Sequence, residues 1–255
     1  MRRITKRLYD ANGNQYRIPK DMKRLLNLNI LKLLNKAERA GSYDLPALHC
    51  STDLFPDFLA LYTEPGLYHK TALTAVCFYD YDRQFDGING LYNAIYYNDT
   101  NLLKQYRDRF QSVHFFISPD YSVFGDIHHI ENLIRVWKSR IVALWLCLEL
   151  NAIVIPNFMY SSAESLDEYS KGLEDCQVIA ISAKGHIRNP FEKLLTESAI
   201  KYAVDNMPLK AIVVYSVCGN DENAYQLFRY ASSHNVQVII PENTLRSRNR
   251  KVVLK

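Results

Sequence analysis

Residues 152–182 read AIVIPNFMYSSAESLDEYSKGLEDCQVIAIS. Two short runs, AIVIPN (152–157) and QVIAIS (177–182), flank an amphipathic stretch at 163–174 that Ser161 or Ser162 opens as a helix N-cap. Both runs are β-branched and apolar on consecutive positions, the pattern of a strand covered on both faces. Strand, helix and second strand make one βαβ unit. The same grammar extends outward to TALTAVCFY (71–79), SVHFFIS (112–118), KAIVVYSV (210–217) and VQVIIP (236–241). Helices are predicted at 89–109, 128–150, 190–206 and 221–234, with Asp126 as N-cap before HHIENLIRVW and Asn206, Met207 and Pro208 as a stop. DLPAL (44–48) reads as one more strand, and 50–70 as irregular.

The fold class is therefore α/β, a parallel sheet of six or seven strands with helices on both sides. Two closures fit, an open doubly wound sheet and a (βα)-barrel. The barrel-like form is favoured because each run exits into polar or Pro-bearing residues, and a barrel gathers all such exits on one face. With no internal repeat and no linker, residues 41–255 form a single domain, preceded by a basic helical arm at 1–40.

Composition narrows the class. The chain has 255 residues, 48% apolar and 23% charged, enough to bury a substantial core. The opening MRRITKRLYDANGNQYRIPKD has no apolar core behind its charges, so no signal peptide is expected. No apolar run is long enough to cross a membrane, and no membrane partner is expected. Five scattered cysteines, Cys50, Cys77, Cys147, Cys176 and Cys218, read as reduced core thiols of a cytoplasmic protein.

Charge is concentrated at the ends. Residues 1–39 carry eleven Lys/Arg against three acids, 244–255 carry five against none, and the body between holds fifteen bases and twenty-four acids. Basic ends on an acidic body suit polyanion contact through Arg2, Arg3, Lys6, Arg7, Lys23, Arg24, Arg246, Arg248 and Arg250. The competing reading is solvated termini that keep the protein soluble. The leucines of the helical stretch 20–39 are expected to pack on the body.

Motifs for phosphate wrapping, dinucleotide binding, zinc ribbons and serine hydrolases are absent. The positive signal is polar chemistry at the strand exits. Asp80, Asp82 and Asp120 form an oxygen-rich set suited to Mg²⁺ or Mn²⁺, and nothing points to an organic cofactor. Asn157, Lys184 and Glu242 would join Asp80 and Asp120 in positioning substrate or charge. The same acids could instead cap helices or close local turns. Lys184, His186 and Arg188 around Gly185 suit an anion, or a plain solvated loop. His114, Asp120, Asp126, His128 and His129 are metal-type residues, although a strand histidine such as His114 is more often a hydrogen-bonded core residue. Trp137, Arg140, Tyr92, Tyr96 and Tyr97 are expected to pack before they stack on a base.

Several of these segments together resemble a family known as domain of unknown function 4417, found in bacteria, phages and mobile elements. The likeness runs over about 73–250. It rests on CFYDYDRQF (77–85), SPDYS (118–122), VWKSRIVAL with Lys138 and Arg140, VIPNF (154–158), VIAISAKG (178–185) and VIIPENTLRSRNR (238–250). It implies a context and no mechanism. Three functional readings follow from the residues: a metal-assisted enzyme acting on a phosphate-bearing ligand such as a nucleotide or nucleic acid, a non-catalytic DNA- or RNA-binding accessory, and a protein-interaction scaffold.

Overall fold

The computed structural model describes residues 6–9, 15–18 and 28–253. Near the N-terminus β1 (Lys6–Tyr9) and β2 (Gln15–Ile18) pair antiparallel, where a helical arm was expected. Among the described residues of this region the helix is α1 (Leu28–Leu34), which buries Ile30 and Leu33 as the leucine-rich pattern requires; the rest of the expected helical stretch, 20–27, lies outside the described residues. β3 (Arg39–Ala40) and β4 (Leu45–Pro46) form a second antiparallel pair. The DLPAL segment thus lies outside the parallel sheets.

The core is built on seven parallel strands in two sheets. The first holds β5 (Phe58–Leu61), β6 (Thr74–Cys77), β7 (Phe115–Ile117) and β8 (Ile153–Ile155) in that order. The second holds β9 (Val178–Ser182), β10 (Ala211–Tyr215) and β11 (Gln237–Ile239), with β10 central. The expectation of one sheet of six or seven strands is corrected to sheets of four and three. Ladders stop where Pro156 and Pro241 withdraw a backbone donor, which limits how far neighbouring strands can pair. Single parallel bridges nevertheless join the sheets at both edges, Asn157 with Ala180 and Phe58 with Glu242. The Ala180 amide donates to Pro156 O and the Phe158 amide to Ala180 O, both at 2.8 Å. At the other edge the Leu59 amide donates to Glu242 O at 2.8 Å and the Glu242 amide to Asp57 O at 2.9 Å.

Helices α2 (Asp82–Phe85), α3 (Leu91–Tyr97) and α4 (Thr100–Arg109) connect β6 to β7. α5 (His129–Leu150) connects β7 to β8, and α6 (Ser165–Ser170) connects β8 to β9. α7 (Pro190–Asn206), then α8 (Glu222–Leu227) and α9 (Arg229–Ser233), cover the second sheet, and α10 (Thr244–Val253) closes the described chain. The α7 bounds match the sequence reading, with Met207 as C-cap. The predicted helix at 89–109 is two helices, because Asn98 turns left-handed at φ 53° and the Asp99 side chain caps a fresh start at the amides of Asn101 and Leu102. α5 begins on His128 rather than on Asp126, 163–174 contracts to α6, and 221–234 divides at Phe228. β5 lies inside the stretch read as irregular.

Every residue of β5, β6 and β10 is buried, as consecutive apolar runs demand. In α5 the continuous run Ile141–Leu146 is buried on all sides. Cys50, Cys77 and Cys176 are buried free thiols, whereas Cys147 is exposed, against expectation. Gly172 (φ +80°) supports a close approach, since a Cβ there would meet Ala47 Cα at 2.9 Å. Among the described residues no helix is long and apolar enough to cross a membrane.

Candidate active site

The exits of β6, β7 and β8 meet on one residue. Asn157 is buried two residues past β8. Its backbone amide donates to Ser118 Oγ at 2.8 Å, just beyond β7, and its Oδ1 accepts from the Tyr79 hydroxyl at 2.8 Å, just beyond β6. Its Nδ2 donates to Asp120 Oδ1 at 2.7 Å. The acceptor and donor ends of the amide are therefore fixed by their partners. Tyr79 in turn stacks on Tyr215, the last residue of β10, with ring centroids 4.6 Å apart and planes inclined by 18°. Both rings are buried, and the Tyr215 hydroxyl has no hydrogen-bond partner among the described residues.

Asp120 is the chemically distinctive group. Burial pushes its carboxyl from 3.8 up to about 7, and the nearby Asp82 charge adds to the rise, while the Asn157 hydrogen bond and the Lys184 charge oppose it. The group is thus poised to hold a proton near neutrality. Lys184, exposed just after β9, sends Nζ to Tyr79 O at 3.4 Å and lies 5.7 Å from the centroid of the Tyr81 ring.

A second polar cluster stands on the same side. His186 Nδ1 lies 2.7 Å from Thr196 Oγ1 and 3.2 Å from the Tyr160 hydroxyl, which is itself 2.9 Å from Thr196 Oγ1. Thr196 also donates to Glu192 O at 2.8 Å within α7. Burial lowers the His186 pKa, partly offset by the Glu192 charge. Asp120, Asn157, Lys184, His186 and Tyr160 all line one cavity of about 1070 Å³. Its wall also carries Asp126, Glu164 and Glu192, so carboxylates outnumber cations. Phe124, Phe191 and Leu194 add exposed apolar surface to the lining.

The other expected site residues go elsewhere. Asp80 accepts from the Thr63 amide at 3.1 Å and hydroxyl at 3.0 Å, clasping the exits of β5 and β6. Asp82 accepts from the Ser122 amide at 3.2 Å and hydroxyl at 3.0 Å, clasping α2 to the loop after β7. Asp80, Asp82 and Asp120 thus have three separate partners, and among the described residues no three His, Cys, Asp or Glu side chains gather as a metal-holding group. Glu242 does not line the cavity. It accepts from Arg250 at 2.6 Å and from Ser247 at 3.1 Å, in a latch where Asp221 pairs with Arg246 at 2.5 Å and with Arg250 at 3.2 Å. Arg246 is accordingly buried in the fold and Arg250 is ion-paired though still partly exposed, while Arg248 is exposed. Arg2, Arg3, Lys23 and Arg24 lie outside the described residues, and Lys6 and Arg7 are placed only as β1 backbone.

His114 sits exposed immediately before β7, at the opposite strand end from Asp120. His128 caps α5, and His129 pairs with Glu168 and stacks on Tyr169. These histidines do not converge with Asp120 and Asp126 on one metal-holding group. Arg140 is buried and donates to Tyr169 O at 3.0 Å, and Trp137 packs edge-on against Tyr92, so both serve packing as expected. The residues missed in the sequence are Tyr79, Tyr160, Thr196 and Tyr215. For Tyr79 a signal existed, a phenol at the end of an otherwise apolar run, where a buried hydroxyl seeks a partner.

The family described as domain of unknown function (DUF4417) matches residues 37–231. No curated protein and no solved structure matches the chain. The match spans most of the chain and includes Asp120, Asn157, Lys184, His186 and Thr196; the chain belongs to this family.

Proposed function

We propose that this member of the family is an enzyme that moves protons on a small ligand held beyond the exits of β7, β8 and β9. Asp120 is the proton-transfer group and Asn157 its positioning partner. One observation carries the reading: a carboxyl held by a single side-chain amide, sheltered enough to sit near a pKa of about 7, opens on a cavity of about 1070 Å³. A general acid–base group works best when its pKa lies close to the operating pH. Ligand sites of parallel α/β folds lie beyond the carboxyl ends of the strands. The two edge bridges support a barrel-like closure, in which the two sheets act as halves of one ring and bring their exits together.

The lining constrains the ligand. Asp120, Asp126, Glu164 and Glu192 face a single lysine, Lys184. A phosphate-bearing ligand such as a nucleotide suits this wall when it arrives with Mg²⁺ or Mn²⁺ to offset the carboxylates, and a neutral or cationic ligand suits it alone.

The test combines two measurements on the full chain. A carboxyl-carbon NMR titration should place Asp120 near pH 7, identified by the signal lost in Asp120→Asn. Thermal melts against nucleotides, with and without Mg²⁺ or Mn²⁺, and against small amines should raise the wild-type midpoint for at least one class. An Asp120 that titrates near pH 4, together with no shifted midpoint at millimolar ligand, sinks the proposal.

A further inference from the structure

The hydrogen bonds around His186 bear on which of its ring nitrogens carries the proton. Four polar contacts meet at this point: Tyr160 hydroxyl to His186 Nδ1 at 3.2 Å, Tyr160 hydroxyl to Thr196 Oγ1 at 2.9 Å, His186 Nδ1 to Thr196 Oγ1 at 2.7 Å, and Thr196 Oγ1 to Glu192 O at 2.8 Å. Glu192 O is a carbonyl and only accepts, so the single Thr196 hydrogen is drawn to it, the usual back-bond of a helical threonine. Thr196 Oγ1 then has only lone pairs to offer His186 and Tyr160. If Nδ1 were also a bare lone pair, the shortest contact of the cluster would set two acceptors against each other. With a hydrogen on Nδ1, Thr196 donates to Glu192, Nδ1–H and the Tyr160 hydroxyl both donate to Thr196, and Nδ1–H is shared with the Tyr160 oxygen. Every contact is then bridged. Thr196 is fully buried, so water cannot substitute for a missing hydrogen at its oxygen.

We propose that His186 is held as its Nδ1–H tautomer and presents a bare Nε2 lone pair to the cavity as the base that works opposite Asp120. The inference rests on the acid–base reading of the cavity and adds to it the second proton carrier and a requirement on the ligand: it must bring an O–H or N–H to Nε2 and an accepting atom to Asp120. Nε2 has no hydrogen-bond partner among the described residues, and His186 lines the cavity with Asp120. The groups that bear on the imidazole are Glu192 and Thr196 from α7 and Tyr160 from the segment after β8, while Lys184 of its own loop lines the same cavity. Asp120 shares the cavity with Tyr160 of this cluster. Burial lowers the pKa of the imidazole and raises that of the Asp120 carboxyl to about 7, and such opposed displacements separate a base from an acid within one site.

The step balances. The proton leaves the ligand's O–H or N–H for Nε2, its bonding pair stays on the ligand, and the ring becomes imidazolium. The Asp120 carboxyl proton passes to a second ligand atom that supplies the electron pair, leaving a carboxylate. One cation and one anion form together, and exchange with solvent restores both. Thr196 is a positioning residue that fixes the tautomer.

Long-range ¹⁵N–¹H NMR of the full chain distinguishes the tautomers, with His186 identified by the signals lost in His186→Gln. The expected wild-type pattern at pH 7 is a neutral ring with Nδ1–H, the reverse of the Nε2–H form that predominates for imidazole side chains in water. Thr196→Val removes the acceptor and should move the ring toward Nε2–H, while Thr196→Ser should restore the wild-type pattern and Tyr160→Phe should retain it. An Nε2–H or imidazolium ring in the wild type overturns the proposal, as does a tautomer indifferent to Thr196→Val. Should Thr196→Val not fold, the wild-type and Tyr160→Phe spectra decide alone. The Asp120 titration is read from a different nucleus and residue, so failure of the acid–base reading and failure of this one are separable.

Discussion

Asp120 ties the chemistry of the cavity to the stability of the fold. In the unfolded chain its carboxyl ionises near 3.8, and in the folded chain near 7. A raised folded pKa means stability that is complete below the lower value and is lost as pH climbs through the upper one. At about 1.4 kcal/mol for each pH unit, the loss between pH 4 and pH 7 is about 4 kcal/mol. Asp120→Asn keeps an oxygen for Asn157 Nδ2 and carries no charge. It is expected to match the wild type near pH 4 and to exceed it at pH 8 by a few kcal/mol, up to about 4, in urea denaturation. A difference that does not change with pH would contradict the burial argument. Such a gain would accord with the role proposed for Asp120, since functional sites commonly trade stability for activity. The sequence already marked Asp120, Asn157 and Lys184 as strand-exit residues, because exits are legible wherever an apolar run ends. Which exit acids are consumed locally was not legible. That depends on whether a threonine or serine from a neighbouring loop, Thr63 or Ser122, reaches the carboxylate first, and loop side-chain directions leave no trace in periodicity.

Among the elements, α10 shows how a basic tail becomes structural. The Arg246 side chain is 4% exposed and its guanidinium pairs with Asp221, while Nη1 donates to Ile240 O and Pro241 O. Asp221→Asn leaves that buried cation without its counter-charge and should cost about 3 kcal/mol or more, measured as a fall in the denaturant midpoint. Arg248→Ala, on the exposed side of the same helix, should stay within about 0.5 kcal/mol of the wild type. Gly219→Ala strikes the same junction from the other side, because its Cβ would meet the backbone of Asn249 and Arg250 at 2.9 Å. Element reading succeeded where a run was long and uniform, as in α7. It failed for β5, whose residues Phe58–Leu61 include no β-branched side chain and lie between Pro56 and Pro65. It also failed at Asn98, where one left-handed residue divides a continuous amphipathic stretch.

For the molecule as a whole, parallel strands buried on both faces were legible, but the division into sheets of four and three was not. Strand composition states what is buried and leaves open where a ladder is interrupted. The two single bridges make a specific claim on dynamics. If both edges are joined in solution, the amides of Leu59, Phe158 and Ala180 should exchange with solvent as slowly as those in the middle of their sheets. Fast exchange at all three, measured by NMR in deuterium oxide, would mean that the sheets open independently.

The bridge at Phe58 also orders events at the ribosome. β5 obtains its outer partner only from the segment around Glu242, which the cell synthesises nearly last among the described residues. Until then a nascent chain carries a greasy strand with one flank of its backbone bare, open to pairing with a neighbour on the same polysome. Expression of fragments that stop short of Glu242 should therefore yield inclusion bodies or chaperone-bound material, and co-expressed holdases should matter more for those fragments than for the whole chain.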